Sequence, residues 1–223
     1  NPTNNSVVSG SNPKDLRRAP ADEGVKWFTE PDIAVADDPE ILDLMRESGC
    51  AEVLIGLESP TAGSLDGIEL NNNWKRKRLD GYREAIRRIQ SHGIAVNGCF
   101  VLGMDGDTED CFPAVRDFVR DSGLCEVQIT VMTPFPGTPL YSRLLGEGRL
   151  LDPTAWEKCT LFDVNFQPQH MSVEDLQNGL VGLATELYTA EAKADRRNAF
   201  RDHVRTARQP RREEAAQCLA KVA

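Results

Sequence analysis

Apolar positions along the chain fall into two alternating rhythms. Val25–Ile33 (VKWFTEPDI), Glu52–Glu58 (EVLIGLE), Ile94–Leu102 (IAVNGCFVL) and Leu124–Met132 (LCEVQITVM) are short apolar runs bounded by polar or turn residues, which predicts four strands. Between them the spacing lengthens to steps of three and four, the period of a helix with one buried face. Pro39–Ser48 follows an Asp38 N-cap and stops at Gly49. Lys75–Ser91 carries Leu79, Tyr82, Ile86 and Ile89 on one face and ends at Gly93. Asp107–Asp121 does the same with Phe112, Val115, Phe118 and Val119. Strands expected to be buried on both faces, alternating with amphipathic helices, predict an α/β fold with a parallel sheet of right-handed βαβ units. Four such strands do not close a barrel by themselves.

The flanks read differently. Residues 1–24 are rich in Asn, Ser, Gly and Pro, a loop-rich entry segment with a short helix near Lys14–Arg18. Pro136-Gly137 fits a turn, and Thr138-Pro139 caps a short helix ended by Gly146. Ser172 and Asp175 are spaced as a capping box, and the helix they open is expected to run to about Arg208. Lys193, Arg196, Arg197, Arg201, Arg205 and Arg208 then form a basic face, either solvated or a surface for a partner or an anionic substrate. The organisation expected is an entry segment (1–24), a sheet-and-helix unit (25–145) and a mainly helical extension with a basic end (146–223).

Composition narrows the classes. Mean hydropathy is −0.42, and no run of about 18 apolar residues exists, which excludes a transmembrane helix. The 35 Asp+Glu against 26 Lys+Arg give a net charge of −9, unsuited to a general grip on nucleic acid. The 6 cysteines (Cys50, Cys99, Cys111, Cys125, Cys159, Cys218) are scattered, each read as a small buried apolar residue in a reduced, cytoplasmic setting. No local Cys/His spacing supports zinc. The chain opens on Asn1 with no secretory signal, and a piece of a longer polypeptide is expected.

In parallel sheets ligands bind where strands end at their carboxyl termini. That rule selects Thr29–Asp32, Gly56–Ser59, Gly103–Thr108 and Thr133–Thr138. Glu58 is a carboxylate at the end of an apolar strand, suited to ribose hydroxyls or an amine, or else a surface acid. Gly103 and Gly106 bracket a strand–turn–helix passage that brings backbone N–H groups to an anion, or simply turns the chain. Neither a phosphate-binding lysine motif nor a hydrolase triad is present.

The segments WFTEPDI, DDPEILDLMRESGCAEVLIGLES, HGIAVNGCFVLGMDGDT, ITVMTPFPGTPLY and NFQPQHMSVEDL, in that order, resemble the radical S-adenosylmethionine (SAM) superfamily, in its cobalamin-binding branch. The resemblance implies part of a TIM-like (β/α)6 barrel, with these strands as its third to sixth. It implies SAM contacts at Glu58, at Val101 and Gly103, at Gly106 and the Asp107-Thr108 turn, and at Met132 and Thr133. Glu30 would face the cavity from the first strand here. The sequence reads MDGD where the family more often has Leu-Pro-Gly-Glu, and Asp107 is expected to cap the following helix with a shorter reach. The family's 4Fe–4S cluster is held by a CxxxCxxC loop that this sequence lacks, so those ligands are expected upstream and no metal site here. The implied activity is formation of a 5′-deoxyadenosyl radical for hydrogen abstraction, or cobalamin-assisted methyl transfer, on a small molecule or lipid, fed by a flavodoxin- or ferredoxin-type reductant. No catalytic residue is assignable. The alternatives are a non-catalytic interaction module and a different barrel enzyme with an anionic ligand at Gly103–Thr108.

Overall fold

A computed structural model of the protein describes the backbone at residues 24–66 and 73–222, and side chains as far as 207. Residues 1–23 with the expected short helix, and the side chains of Arg208 and Cys218, lie outside these residues. Four strands, β1 (Trp27–Thr29), β2 (Cys50–Glu58), β3 (Ala95–Leu102) and β4 (Glu126–Val131), form one sheet in that order. All neighbours are parallel. The crossovers are α1 (Pro39–Glu47), then α2 (Trp74–Arg78) with α3 (Tyr82–Ser91), and α4 (Cys111–Ser122). The sequence continues through α5 (Pro139–Gly146), α6 (Val173–Leu187) and α7 (Ala190–Val222). The sheet is open among the described residues.

One face of the sheet makes the core. Val53, Ile55 and Leu57 of β2, Val96, Phe100 and Leu102 of β3, and Val127, Ile129 and Val131 of β4 are buried. They join Leu42 and Met45 of α1, Tyr82, Ile86 and Ile89 of α3, and Val115, Phe118 and Val119 of α4 in one cluster. Phe118 takes Phe100 and Tyr82 edge to face, ring centroids 5.8 and 6.5 Å apart.

The opposite face corrects the expectation of strands buried on both sides. Register aligns Leu54, Asn97 and Glu126 in one row, Gly56, Cys99 and Gln128 in the next, and Val101 with Thr130 beyond. Apart from the buried Thr130, these residues are part-exposed. The polar members at every second position are the signature of a half-buried strand.

Other boundaries move for local reasons. The first strand is only Trp27–Thr29, because Asp32 accepts from the Ala34 N–H (2.8 Å) and starts a 3-10 turn over Ile33–Asp37. The helix expected over 75–91 breaks into α2, a 3-10 turn at Leu79–Gly81, and α3. The long helix after Ser172 divides at Tyr188-Thr189, where the Thr189 hydroxyl oxygen accepts from Ala192 N and starts α7. The Ser172/Asp175 capping box is present as expected, and Thr138 caps α5 through Tyr141 N.

The outer edge of β4 is closed. The outward N–H of Ile129 donates to the Tyr188 hydroxyl (3.0 Å), and that of Val131 to the Leu161 carbonyl (2.8 Å). Tyr188 ends α6 and Leu161 belongs to the extension, so the helical extension blunts an edge strand that would otherwise be free to pair.

Candidate cofactor site

At the carboxyl end of β2 the strand does something unusual. Register slips between Gly56 and Glu58, and Glu58 takes a left-handed backbone, φ 62°. A non-glycine residue there costs about 1–2 kcal/mol and persists where its surroundings fix it. The fixing partner is Lys75 of α2, whose Nζ donates to Glu58 Oε1 at 2.5 Å. Both side chains are mostly buried. A Cβ on Gly56 would lie 2.6 Å from Glu58 Oε1 and 3.3 Å from Lys75 Nζ, so the absence of a side chain at Gly56 makes room for this ion pair over the polar face.

Cys99 sits beside Gly56 in the next strand. Burial first, then the Glu58 carboxylate, push its thiol up to about 11, with Glu30 acting in the same direction and Lys75 against. Glu30 itself is exposed just beyond β1. The thiol is therefore neutral at physiological pH and part-exposed on the open face, which corrects the reading of every cysteine as buried. Cys159 is also part-exposed, while Cys50, Cys111 and Cys125 are buried as expected.

The turn after β3 is built around Asp107. Its Oδ2 accepts from Gly103 N (2.8 Å) and Met104 N (3.1 Å), with the Ser64 hydroxyl beside it. Burial raises the Asp107 carboxyl above its ordinary value against these donors. Asp107 therefore caps its own turn and not α4, which begins only at Cys111. With those two N–H groups already satisfied by an internal carboxylate, the turn is a poor anion site, which removes the main support for an anionic ligand at Gly103–Thr108. Gly103 has φ 85°, and a Cβ there would sit 2.7 Å from Leu176 and 2.9 Å from Phe166. A Cβ at Gly106 would meet the Gly63 carbonyl at 2.2 Å. The first glycine lets the helical extension close on the sheet, and the second lets the chain after β2 lie against this turn. Asp105 pairs with Arg143 (2.6 Å) and Arg149 (2.9 Å), tying the turn to α5 and the segment beyond it.

Val101 is part-exposed on the open face opposite Thr130. Met132 is held beside Leu102 by a 2.8 Å backbone bond, and buried Thr133 donates its hydroxyl to the Val131 carbonyl. Glu58, Val101, Gly103, Gly106, Met132 and Thr133 thus share one end of the sheet, and Glu30 lies toward its other edge. Lys75 was missed because its partner is 17 residues away. Its only trace in the sequence is the basic run Lys75–Arg78. Among the described residues no group of three His, Cys, Asp or Glu side chains is placed to hold a metal ion. No described helix is long and apolar enough to cross a membrane.

A parallel sheet with a strained carboxylate and a glycine turn at its carboxyl end is an α/β arrangement, and the chain belongs to the radical SAM superfamily. Residues 138–223 match a domain of unknown function, DUF4070. The chain is 30% identical over 169 residues to the bacteriochlorophyllide d C-12(1)-methyltransferase of Chlorobaculum tepidum, covering 76% of this chain and 36% of that protein. It is 34% identical over 122 residues to the hopanoid C-2 methylase of Rhodopseudomonas palustris, covering 55% and 22%. With the anaerobic magnesium-protoporphyrin IX monomethyl ester cyclase of Cereibacter sphaeroides it shares 22% over 169 residues, covering 75% and 26%. The chain spans about a third or less of the length of these relatives.

Proposed function

We propose that this chain forms the SAM-facing wall of a radical SAM enzyme that transfers a methyl group to a small-molecule acceptor. The observation that carries this reading is Glu58: a strained, largely buried carboxylate at the strand end where parallel sheets bind ligands, in a chain whose relatives are named methyltransferases. Its remaining hydrogen-bonding capacity suits ribose hydroxyls or the amino group of SAM. Lys75 pairs with the carboxylate and orients it, and would share it with an incoming cation. Val101 and Met132 offer part-exposed apolar contacts for adenine, Thr133 a backbone polar edge beside them, and Glu30 a further negative charge on the open face. The Asp107-centred turn with Gly103 and Gly106 keeps this wall in shape.

When bound, SAM supplies the transferable methyl group and the precursor of a carbon radical. The residues that would hold a 4Fe–4S cluster are not among those described, where the cysteines are dispersed and no metal-ligating trio is formed. Cobalamin and a flavodoxin- or ferredoxin-type reductant belong to the same proposal at the level of the whole enzyme.

Equilibrium dialysis of the 223-residue chain against radiolabelled SAM, with S-adenosylhomocysteine as competitor, tests the reading. Saturable retention is expected, weakened about tenfold in Glu58→Gln while the thermal transition persists, the loss of one charge-assisted contact. A folded chain that retains no SAM, or retains it equally well after Glu58→Gln, overturns it.

A further inference from the structure

Ser59 N donates to the Leu57 carbonyl at 2.8 Å across Glu58, whose φ is 62°. A three-residue turn of that hand is rare and strained. It accounts for the slip in register at the end of β2. Gly56 lies opposite Cys99, but Glu58 lies opposite Phe100, where an unbroken ladder would set it opposite Val101. Glu58 is thus drawn back by one residue, about 3.3 Å along the strand.

A strained turn persists where its neighbours hold it, and here a row of hydroxyl groups follows it. Ser59 Oγ accepts from Thr61 N at 3.2 Å and is bonded to Thr61 Oγ1 at 3.2 Å. Thr61 Oγ1 is bonded in turn to Ser64 Oγ at 2.5 Å and accepts from Ser64 N at 3.4 Å. Ser59 and Ser64 are each 2% exposed. Two buried serines add little apolar packing; what they secure is the peptide that follows Glu58. The same loop also reaches the lysine that pairs with Glu58. Asp66 accepts from Asn73 Nδ2 (2.9 Å) and Arg76 Nη1 (2.6 Å), which stand on either side of Lys75 in the chain. Between these ends the loop rests on the turn after β3, where a Cβ at Gly106 would meet the Gly63 carbonyl.

We infer that Thr61 is a positioning residue for the candidate site: its hydroxyl, by joining Ser59 to Ser64, keeps Glu58 in the drawn-back place where it meets Lys75 and its ligand. This rests on the proposed SAM reading for the identity of the ligand. Thr61 acts through Glu58 and not on the ligand itself. Without the hydroxyl the turn relaxes toward the unbroken ladder and the carboxylate moves toward the Val101 position. The share of chains with a competent site falls, and the apparent affinity falls in proportion.

Equilibrium dialysis of the intact chain against radiolabelled SAM compares three variants. Thr61→Val keeps the shape of the side chain without its hydroxyl, Thr61→Ser restores the hydroxyl, and Ser59→Ala removes the next member of the row. Thr61→Val and Ser59→Ala are each expected to weaken SAM retention about fivefold, the worth of one hydrogen bond, and Thr61→Ser to retain SAM like the parent. In a Glu58→Gln background Thr61→Val should add no further loss, because the residue it works through is already changed. Unchanged retention in Thr61→Val, a Thr61→Ser variant as weak as Thr61→Val, or a full additional loss in the Glu58→Gln background overturns the proposal, the last by showing that the loop serves the fold and not Glu58. A parent chain that retains no SAM sinks the methyl-transfer reading. The loop is then judged without ligand, by the coupling between Glu58→Gln and Lys75→Met in urea. Thr61→Val should abolish that coupling, and a coupling that survives it overturns the positioning role.

Discussion

Gly103 is the point where the helical extension presses on the sheet, and its replacement by alanine separates two costs. The first is conformational: an L-residue held at φ 85° pays about 1–2 kcal/mol. The second is steric, since the new methyl would lie 2.7 Å from Leu176 Cδ2 and 2.9 Å from Phe166 Cζ, both side chains fully buried. Forcing one methyl into a packed core costs about 1–3 kcal/mol. Together these predict about 3 kcal/mol, a drop in melting midpoint of about 6–12 °C for a chain of this size. Gly137 provides the first control. It has φ 84° but nothing within 4 Å of a Cβ, so Gly137→Ala pays only the conformational cost. Gly182, exposed within α6 with open space around it, is the second: Gly182→Ala should stabilise by about 0.5–1 kcal/mol. Urea denaturation of the three variants gives the ladder. In the Gly103→Ala background, Leu176→Ala should cost less than it does alone, because it frees the space the methyl needs. If Gly103→Ala falls within about 0.5 kcal/mol of Gly137→Ala, the extension is not wedged against this glycine and the argument fails.

Asp107→Ala should cost about 2–4 kcal/mol by orphaning the Gly103 and Met104 N–H groups, whereas Asp107→Asn, which keeps an oxygen, should cost less than half of that; equal losses in urea would contradict the turn-capping role. Burial works against ionisation of Asp105, but hydrogen bonds from Arg149 and Arg143 outweigh it and hold the carboxyl below its ordinary 3.8. Its stabilising contribution is therefore full above about pH 3.8 and is lost as pH falls through the lower folded value. Asp105→Asn should flatten the acid limb of a melting-temperature profile, and an unchanged limb would refute this. For the Glu58–Lys75 pair, a double-mutant cycle with Glu58→Gln and Lys75→Met should return a coupling of about 1 kcal/mol, and a value near zero would mean that Lys75 does not orient Glu58.

Local pattern was enough for the order of elements and poor at their limits. The strand and helix periods, the capping box at Ser172 and the cap at Thr138 are local patterns, which a sequence displays directly, and the parallel sheet follows from the alternation of those periods. The 3-10 turn at Ile33–Asp37 and the break at Thr189 are also local, but Asp32 and Thr189 sit inside periodic runs whose hydrophobic signal outweighs one capping side chain. The burial of the strands was misread because VLIGL and CFVL are apolar enough to suggest two covered faces. Glu52, Asn97, Glu126 and Gln128 at alternate positions were the contrary signal. What was illegible is long-range: Lys75 on Glu58, Arg149 on Asp105, and Tyr188 on Ile129 N join residues 17 to 59 positions apart.

Those long-range ties share a direction, and it bears on how the site is made. The core face is secured by ordinary packing and would tolerate many apolar sequences. The polar face has little apolar burial to hold it, so its shape depends on single contacts at its ends: Glu58 on Lys75 at the β2 end, Asp107 and Asp105 at the β3 end, Leu161 on Val131 at the β4 end. Among the described residues, two of the three non-glycine residues with left-handed backbones, Glu58 and Leu161, lie at that rim, Glu58 paired with Lys75 and Leu161 bonded to Val131. Each of these contacts joins a strand end to a connecting segment, α2 or the extension loop. Strain at the rim is therefore maintained by the parts of the chain that vary most freely in length and sequence. That arrangement lets the connections change which ligand the end of the sheet accepts while the strands and their core stay as they are.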